Sequence, residues 1–264
     1  MAANYTIDGG KAGKQRLDVL AGVMHESTTA LLERVGAGSA SRCLDVGCGG
    51  GHVSRLLASL VGSGGYVVGV DLDPSVLELA RADAQAAGLA NIEFRQSDAS
   101  DIDGPYDLAY ARFLLSHVSD AAGVVGAMVS AVRSGGRIVV EDIDFMGSFC
   151  SPPSPAYERY VELYRATVSR RGGDADIGPR LPGMLHEAGL QDVAVSVVQP
   201  CGLSGDAKVI SPVTLERIAD SVLAEGIADA EELGQVIAEL YEYEANPATI
   251  MSLPRVVQAW ARVP

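Results

Sequence analysis

The chain predicts an α/β fold with a doubly wound, parallel sheet. Three observations carry this. Short apolar runs alternate with amphipathic stretches of helical period from about residue 42 to residue 142. The first apolar run, Arg42–Val46, breaks into four glycines within five residues (Gly47, Gly49, Gly50, Gly51) before a helical pattern begins. An acidic residue closes the first two runs, at Asp45 and Asp71. In such a sheet the ligand site lies beyond the carboxyl ends of the strands, at the switch point.

The elements follow in order. Leu17, Leu20, Ala21, Met24, Leu31, Leu32 and Val35 fall on one face of a helix, so residues 1–40 form an N-terminal helical cover and residues 41–264 the main domain. Gly51–Val61 is the helix after the first strand. Tyr66–Asp71 is the second strand; Asp73 caps the next helix with Pro74 in its first position, and Gly88 ends it. Asn91–Arg95, Tyr106–Ala111 and Arg137–Asp142 are strands three to five, with a helix over about Asp120–Val132 between the last two. Phe145–Pro155 reads as a loop, Ala156–Arg171 as a helix with Tyr157, Tyr160, Val161, Tyr164 and Val168 on one face, and a short helix follows Pro182. Val193–Gln199 alternates like a strand, Pro212–Glu225 and Asp229–Glu244 read as helices, and Arg255–Val263 as a last strand. Two helical excursions, about 145–190 and 201–254, therefore interrupt the late part of the sheet.

Composition narrows the partners. The 264 residues carry a formal net charge of −14, with no basic patch, which argues against nucleic acid. The four cysteines are scattered and form no metal-ligating pattern, so no metal is expected and reduced thiols point to a cytoplasmic protein. No apolar run approaches a membrane span or a signal core.

The residues at the strand ends define the chemistry. Glycines let the backbone approach a ligand, and helix-start N–H groups favour a negative group. Asp45, two residues before the first glycine, repels a pyrophosphate and attracts a cation. S-adenosylmethionine (SAM) carries a sulfonium, an ammonium and one carboxylate, and no phosphate, and it suits that charge. Gly47, Cys48 and Gly49 are the cradle for its amino-acid part. Asp71 can accept from vicinal ribose hydroxyls, which fits NAD equally. Ser97, Asp98 and Ala99 follow strand three, where Asp98 can accept from an adenine amino group. Ala111 and Arg112 end strand four; backbone there reaches toward an ammonium, and Arg112 toward a carboxylate or a structural ion pair. His117 is the candidate general base, against a packing or capping role. Glu141, Asp142 and Asp144 leave strand five near the expected site, and at least one reads as a solvated loop acid. The tyrosine face of the 156–171 helix reads as pocket wall, core or interface. An NAD fingerprint would need glycine where His52 stands.

These motifs in order resemble the class I SAM-dependent methyltransferases: D45-V-G-C-G-G-G51, V-G-V-D71, S97-D98-A99 and A-R-F-L-L-S-H117-V, over roughly Leu44–Ile143, with the last close to the ubiquinone/menaquinone and natural-product branch. The resemblance implies a Rossmann-like, mostly parallel seven-stranded sheet with an antiparallel last strand. It implies SAM as methyl donor, with Gly47 and Gly49 on the methionine portion, Asp71 on the ribose, Leu72 on the adenine face and Asp98 on the adenine amino group. It further implies an N-terminal lid, for which Tyr5 and Arg16 are the candidates, and an acceptor pocket built from the excursions. The expected reaction is methyl transfer to a small molecule, such as a secondary metabolite, by an enzyme for which a homodimer is one arrangement; a SAM-binding regulator without turnover is the rival.

Overall fold

The computed structural model describes residues 10–40 and 42–264, with side chains from Arg16 onward. The chain runs α1 (Gly10–Arg34), β1 (Arg42–Val46), α2 (His52–Val61), β2 (Tyr66–Asp71), α3 (Pro74–Ala86), β3 (Ile92–Gln96), β4 (Tyr106–Arg112), α4 (Ala121–Ala131) and β5 (Val132–Asp144). It continues through β6 (Cys150–Ser151), α5 (Pro155–Arg170), α6 (Leu181–Glu187), β7 (Gln191–Val198), β8 (Cys201–Gly202), α7 (Asp206–Ala224), α8 (Ala230–Ala245), β9 (Ile250–Ser252) and β10 (Arg255–Arg262).

Seven strands form one sheet in the order β3-β2-β1-β4-β5-β10-β7. The pairs β1–β2, β1–β4, β2–β3 and β4–β5 are parallel, and β10 is antiparallel to both neighbours. The doubly wound sheet and its antiparallel last strand match the expectation. The switch point lies between β1 and β4, where Val46 pairs with Ala111.

Period-two alternation sorts the strands onto two cores. Leu44 and Val46 of β1 pack with Val68, Ile138 and Val140 against α4 and α6 (Val124, Met128, Leu181, Leu185). Cys43 faces the other way, with Val67, Leu108 and Tyr110, under α2 and the end of α1 (Val53, Leu57, Leu31, Val35). Asp45 shares that second face by alternation. A third core lies outside the sheet. Tyr157, Tyr160, Leu163 and Tyr164 of α5 meet Leu215 and Ile218 of α7 and Leu233, Val236 and Leu240 of α8. The two excursions thus combine into one helical cap, and α1 packs along α7 to join cover and cap.

Four local readings change. β5 begins at Val132, though its exposed residues 133–135 contribute little to the core. The expected loop 145–155 contains a 3-10 turn at Phe145–Gly147 and strand β6. β6, β9 and β8 form a small antiparallel sheet under the cap, with Cys150 opposite Met251 and Cys201 opposite Ser252. α7 begins at Asp206 and passes through Pro212, which is buried. α6, placed within the first excursion, packs against β7 and β10 as an ordinary sheet-flanking helix.

Candidate active site

The glycine turn is built as its composition demands. Gly47, Gly49 and Gly51 have φ of 67°, 49° and 71°, the left-handed region that side chains avoid. A Cβ on Gly47 would meet Leu114 Cδ1 at 2.8 Å, whereas one on Gly49 would meet only Leu17 Cδ1 at 3.4 Å, so the turn is tight on one side and open on the other. Cys48 N donates to Val70 O at 2.9 Å, which anchors the turn to β2. The Cys48 side chain packs beside Leu77, Ala80 and Phe94, and burial pushes its thiol well above the usual range, so this residue offers a ligand its backbone alone.

Asp45 lies beneath the turn rather than at its surface, 2% exposed. Its Oδ2 accepts from Ser54 Oγ at 2.5 Å. Gly69 makes this bond fit: it pairs with Asp45 across β1–β2, and a Cβ there would lie 2.9 Å from Ser54 Oγ. Burial raises the Asp45 carboxyl to about 6, opposed by the Ser54 bond and by the Arg112 charge, so it is ionised at neutral pH. Ser54 and Gly69 were not singled out from the sequence. Ser54's position among buried Val53, Leu57 and Ala58 on the α2 apolar face was the available signal.

Asp71 does two jobs. Oδ2 accepts from Gly49 N at 2.8 Å and Oδ1 from Asp73 N at 3.0 Å, so the β2 acid braces the β1 turn. A carboxylate offers about four acceptor sites, so these two bonds leave capacity for more. Leu72 beside it is 41% exposed, an apolar side chain left uncovered. Ser97 N donates to Asp71 O at 3.1 Å, which draws the β3 loop alongside, and Ser97 Oγ donates to Asp101 O. Asp98 is exposed, and Ser100 N and Oγ both bond its Oδ1, which leaves Oδ2 outside the turn. Ala99 packs its methyl on the sheet core. A cavity of about 260 Å³ borders Ser97, Gln96, Val70 and Ile102. Asp73 is the cap it was expected to be, accepting from Ser75 N at 2.8 Å.

At the end of β4, Ala111 is buried and only its backbone faces the switch point. Arg112 turns toward α1. Its Nη1 donates to Thr28 Oγ1 at 2.9 Å, Thr28 donates to Glu141 Oε2 at 3.2 Å, and Tyr110 OH donates to Glu141 Oε1 at 2.9 Å. Arg112 is therefore part of a buried network that ties the cover helix to the sheet. Phe113 follows at φ 54°, strained for a side chain, and its N donates to Glu141 O.

None of the three β5 acids is a solvated loop acid, a correction to the sequence reading. Glu141, Asp142 and Asp144 are 0%, 1% and 2% exposed, because β5 continues through them into the interior. Asp142 accepts from Ser116 N at 3.1 Å and Ile143 N at 2.9 Å, and burial raises its carboxyl to about 6. It thereby fixes the turn that carries His117. Asp144 is bound by the Arg255 guanidinium.

His117 Nε2 lies 3.5 Å from Tyr164 OH of α5. Burial, then the charge of Arg16, lowers its imidazole to about 4, so it is neutral at pH 7. Arg16 is 8% exposed, and its Nε donates to Thr214 Oγ1 of α7 at 3.0 Å. The tyrosine face of α5 is core, as one of its readings had it: Tyr164 stacks on Phe145 with centroids 4.0 Å apart. Tyr5, the other lid candidate, lies outside the described residues. Among the described residues, no group of three or more His, Cys, Asp or Glu is arranged to hold a metal ion, and no helix is long and apolar enough to cross a membrane.

Comparison with known proteins agrees with this geometry. Residues 37–169 match the family model described as a methyltransferase domain. Among curated relatives, the ubiquinone biosynthesis O-methyltransferase of Acinetobacter baumannii (strain ACICU) is 33% identical over 116 residues, 42% of this chain and 48% of that protein. The chain thus spans about half the length of the curated relatives it matches. A Bacillus halodurans C-125 protein assigned to the methyltransferases superposes with a TM-score of 0.61 at 20% identity, covering 90% of this chain and 99% of that one. A Haemonchus contortus phosphoethanolamine N-methyltransferase, solved with phosphomonomethylethanolamine and S-adenosylhomocysteine, gives 0.56 at 18%, covering 90% and 53%. At those identities the structures speak to fold. With the family match over half the chain, and the glycine turn and acid pair in their expected places, the chain belongs to the methyltransferase-domain family and has the fold of a class I SAM-dependent methyltransferase.

Proposed function

We propose that the protein transfers a methyl group from SAM to a small-molecule acceptor. The observation that carries this reading is the Asp71 carboxylate, which holds the open glycine turn through Gly49 while both oxygens keep a lone pair for a vicinal diol. The electrostatics favour a cation over a pyrophosphate. Two acids, Asp45 and Asp71, sit at the ends of adjacent strands, and Arg112 opposes them in Asp45's field. The residues fit SAM on a further ground: a Cβ on Gly49 would meet only Leu17 Cδ1, at 3.4 Å, so the bare backbone of the turn is open there to a ligand.

When bound, SAM supplies an already activated methyl on sulfur. The chain's own residues then align and exclude water. The Gly47–Gly49 backbone faces the amino-acid part, Asp71 the ribose, Leu72 the adenine face, and Ser97, Asp98 and Ala99 the adenine edge; Ala111 contributes backbone. The helical cap of α5, α7 and α8 closes the acceptor side. If the acceptor is an O–H or N–H group, its proton passes to a neutral base, a role we assign to His117, which is neutral at pH 7 and lies on the turn that Asp142 holds. Titration calorimetry with S-adenosylhomocysteine (SAH), SAM and NADH tests the cofactor half: SAH and SAM bind, NADH does not. Tight NADH binding without SAH binding refutes the reading. Labelled SAM with a fractionated metabolite extract, read by mass spectrometry, then identifies the acceptor.

A further inference from the structure

Arg16 is a buried cation with no counter-charge bonded to it among the described residues. It is 8% exposed, and among the described residues no carboxylate forms an ion pair with it. A guanidinium in that condition is costly unless something anionic meets it, because desolvation of a charge is offset only by pairing. Its one hydrogen bond among the described residues uses Nε, to Thr214 Oγ1, and four further N–H donors remain on the fork. Arg112 is the contrast: it has Asp45 and Glu141 in its field.

The position of Arg16 selects which ligand supplies the charge. The next residue, Leu17, abuts the glycine turn at Gly49. Arg16 itself turns the other way, to α7 of the cap through Thr214. Its charge reaches His117, Tyr160 and Tyr164, the groups at the junction of cap and sheet. Those three neighbours are neutral at pH 7, so none of them is a counter-charge for Arg16; Asp142, whose charge also reaches Tyr164, is held by Ser116 N and Ile143 N. On the methyl-transfer reading, the acceptor meets the donor methyl between the glycine turn and the cap, the two elements that Leu17 and Arg16 touch.

Building on the methyl-transfer reading above, we infer that Arg16 is the anion-recognising residue of the acceptor pocket, and that the acceptor is an acidic small molecule whose carboxylate seats on the Arg16 fork beside Thr214. The planar fork suits a two-oxygen anion. The shared chemistry with the cofactor is a carboxylate, since SAM carries one as well, so the test separates the two sources.

Calorimetry on the wild-type protein saturated with SAH uses benzoate and phenylacetate as probes against their neutral amides, benzamide and phenylacetamide. The carboxylates bind about tenfold or more tightly than the amides, the scale of a charge-assisted hydrogen bond. Arg16→Met abolishes that preference while its SAH affinity stays within about twofold of wild type, and Arg16→Lys keeps part of the preference. The inference is overturned if acid and amide bind alike, if neither binds, or if Arg16→Met weakens SAH itself tenfold, which would assign the charge to the cofactor's carboxylate. Should Arg16→Met fail to fold, the wild-type acid-to-amide ratio and Arg16→Lys decide. Absence of SAH binding by the wild type is a separate result, and it refutes the methyl-transfer reading.

Discussion

Asp71→Asn is the most searching perturbation of the cofactor half of the site. The carboxylate accepts from Gly49 N at 2.8 Å and from Asp73 N at 3.0 Å. Asparagine replaces one oxygen with an NH₂, so one of these two amides faces a donor instead of an acceptor. A hydrogen bond to a charged acceptor is worth about 1.5–3 kcal/mol net. Part of that loss is returned to the fold, because burial penalises the Asp71 charge and raises its carboxyl, a penalty the amide does not carry. The net loss of stability is therefore about 1–2 kcal/mol, and the protein remains folded. Binding has no such offset. The ribose loses a charged acceptor and the glycine turn loses its brace, so SAH affinity falls about ten- to a hundredfold. Adenosine, which shares the ribose but lacks the amino-acid part, weakens by a similar factor. The assay is calorimetry at pH 7.5 with circular dichroism as the folding control. A folded Asp71→Asn protein that binds SAH within twofold of wild type would falsify the assignment of this carboxylate to the nucleoside.

Four further outcomes follow from the same geometry. Gly51→Ala forces a side chain into φ 71° with its Cβ 2.7 Å from Phe94 Cζ, so it loses about 2–5 kcal/mol, whereas Gly36→Ala, at φ 74° with nothing within 4 Å, loses only about 1–2 kcal/mol; urea melts that rank the two equally would show that overlap with Phe94 does not matter. Lys208 is fully buried, its Nζ donating to the carbonyls of Glu244, Asn246 and Leu203 at 2.7, 2.8 and 3.3 Å, so Lys208→Met strands three acceptors between α7 and α8 and lowers stability by about 2–4 kcal/mol; an unchanged melting temperature would refute this role. Asp142, near 3.8 unfolded and about 6 folded, binds its proton more tightly in the native state, so its contribution is fully present below about pH 3.8 and is lost as pH rises through about 6, some 3 kcal/mol in all; urea titrations should show Asp142→Asn gaining on wild type between pH 4 and 7, and a pH-independent difference would count against it. His117 is lowered to about 4, so as a base it stays competent well below pH 6, and turnover with a proton-releasing acceptor should hold from pH 8 to about 5 rather than fall near 6.5; His117→Ala lowers kcat and leaves SAH affinity intact.

The glycine turn and the acids that brace and cap around it were legible in the sequence, and the reason is locality. The glycine turn, Asp71 and the Asp73 cap each depend on residues a few positions apart, and the strands around them are buried on both faces, so they stand out as apolar runs. The side of the site that faces the cap is assembled differently. Thr214 meets Arg16 across 198 positions, Glu141 meets Thr28 across 113, and Tyr164 meets His117 across 47. The strands β6, β8 and β9 are two or three residues long and find their register only through one another, so no periodicity announces them. Burial of the β5 acids was hidden for the same cause, since a carboxylate in an Asp-rich run reads as wet until Ser116, Arg255 and Tyr110 arrive from elsewhere. This division has a functional consequence. Residues that bind a nucleoside can be held by one turn and two strand ends, so they are written into short motifs. Acceptor recognition as proposed requires a cation carried on the cover helix and a hydroxyl from the second excursion, and the charge of Arg16 would have that function only once those two segments have met.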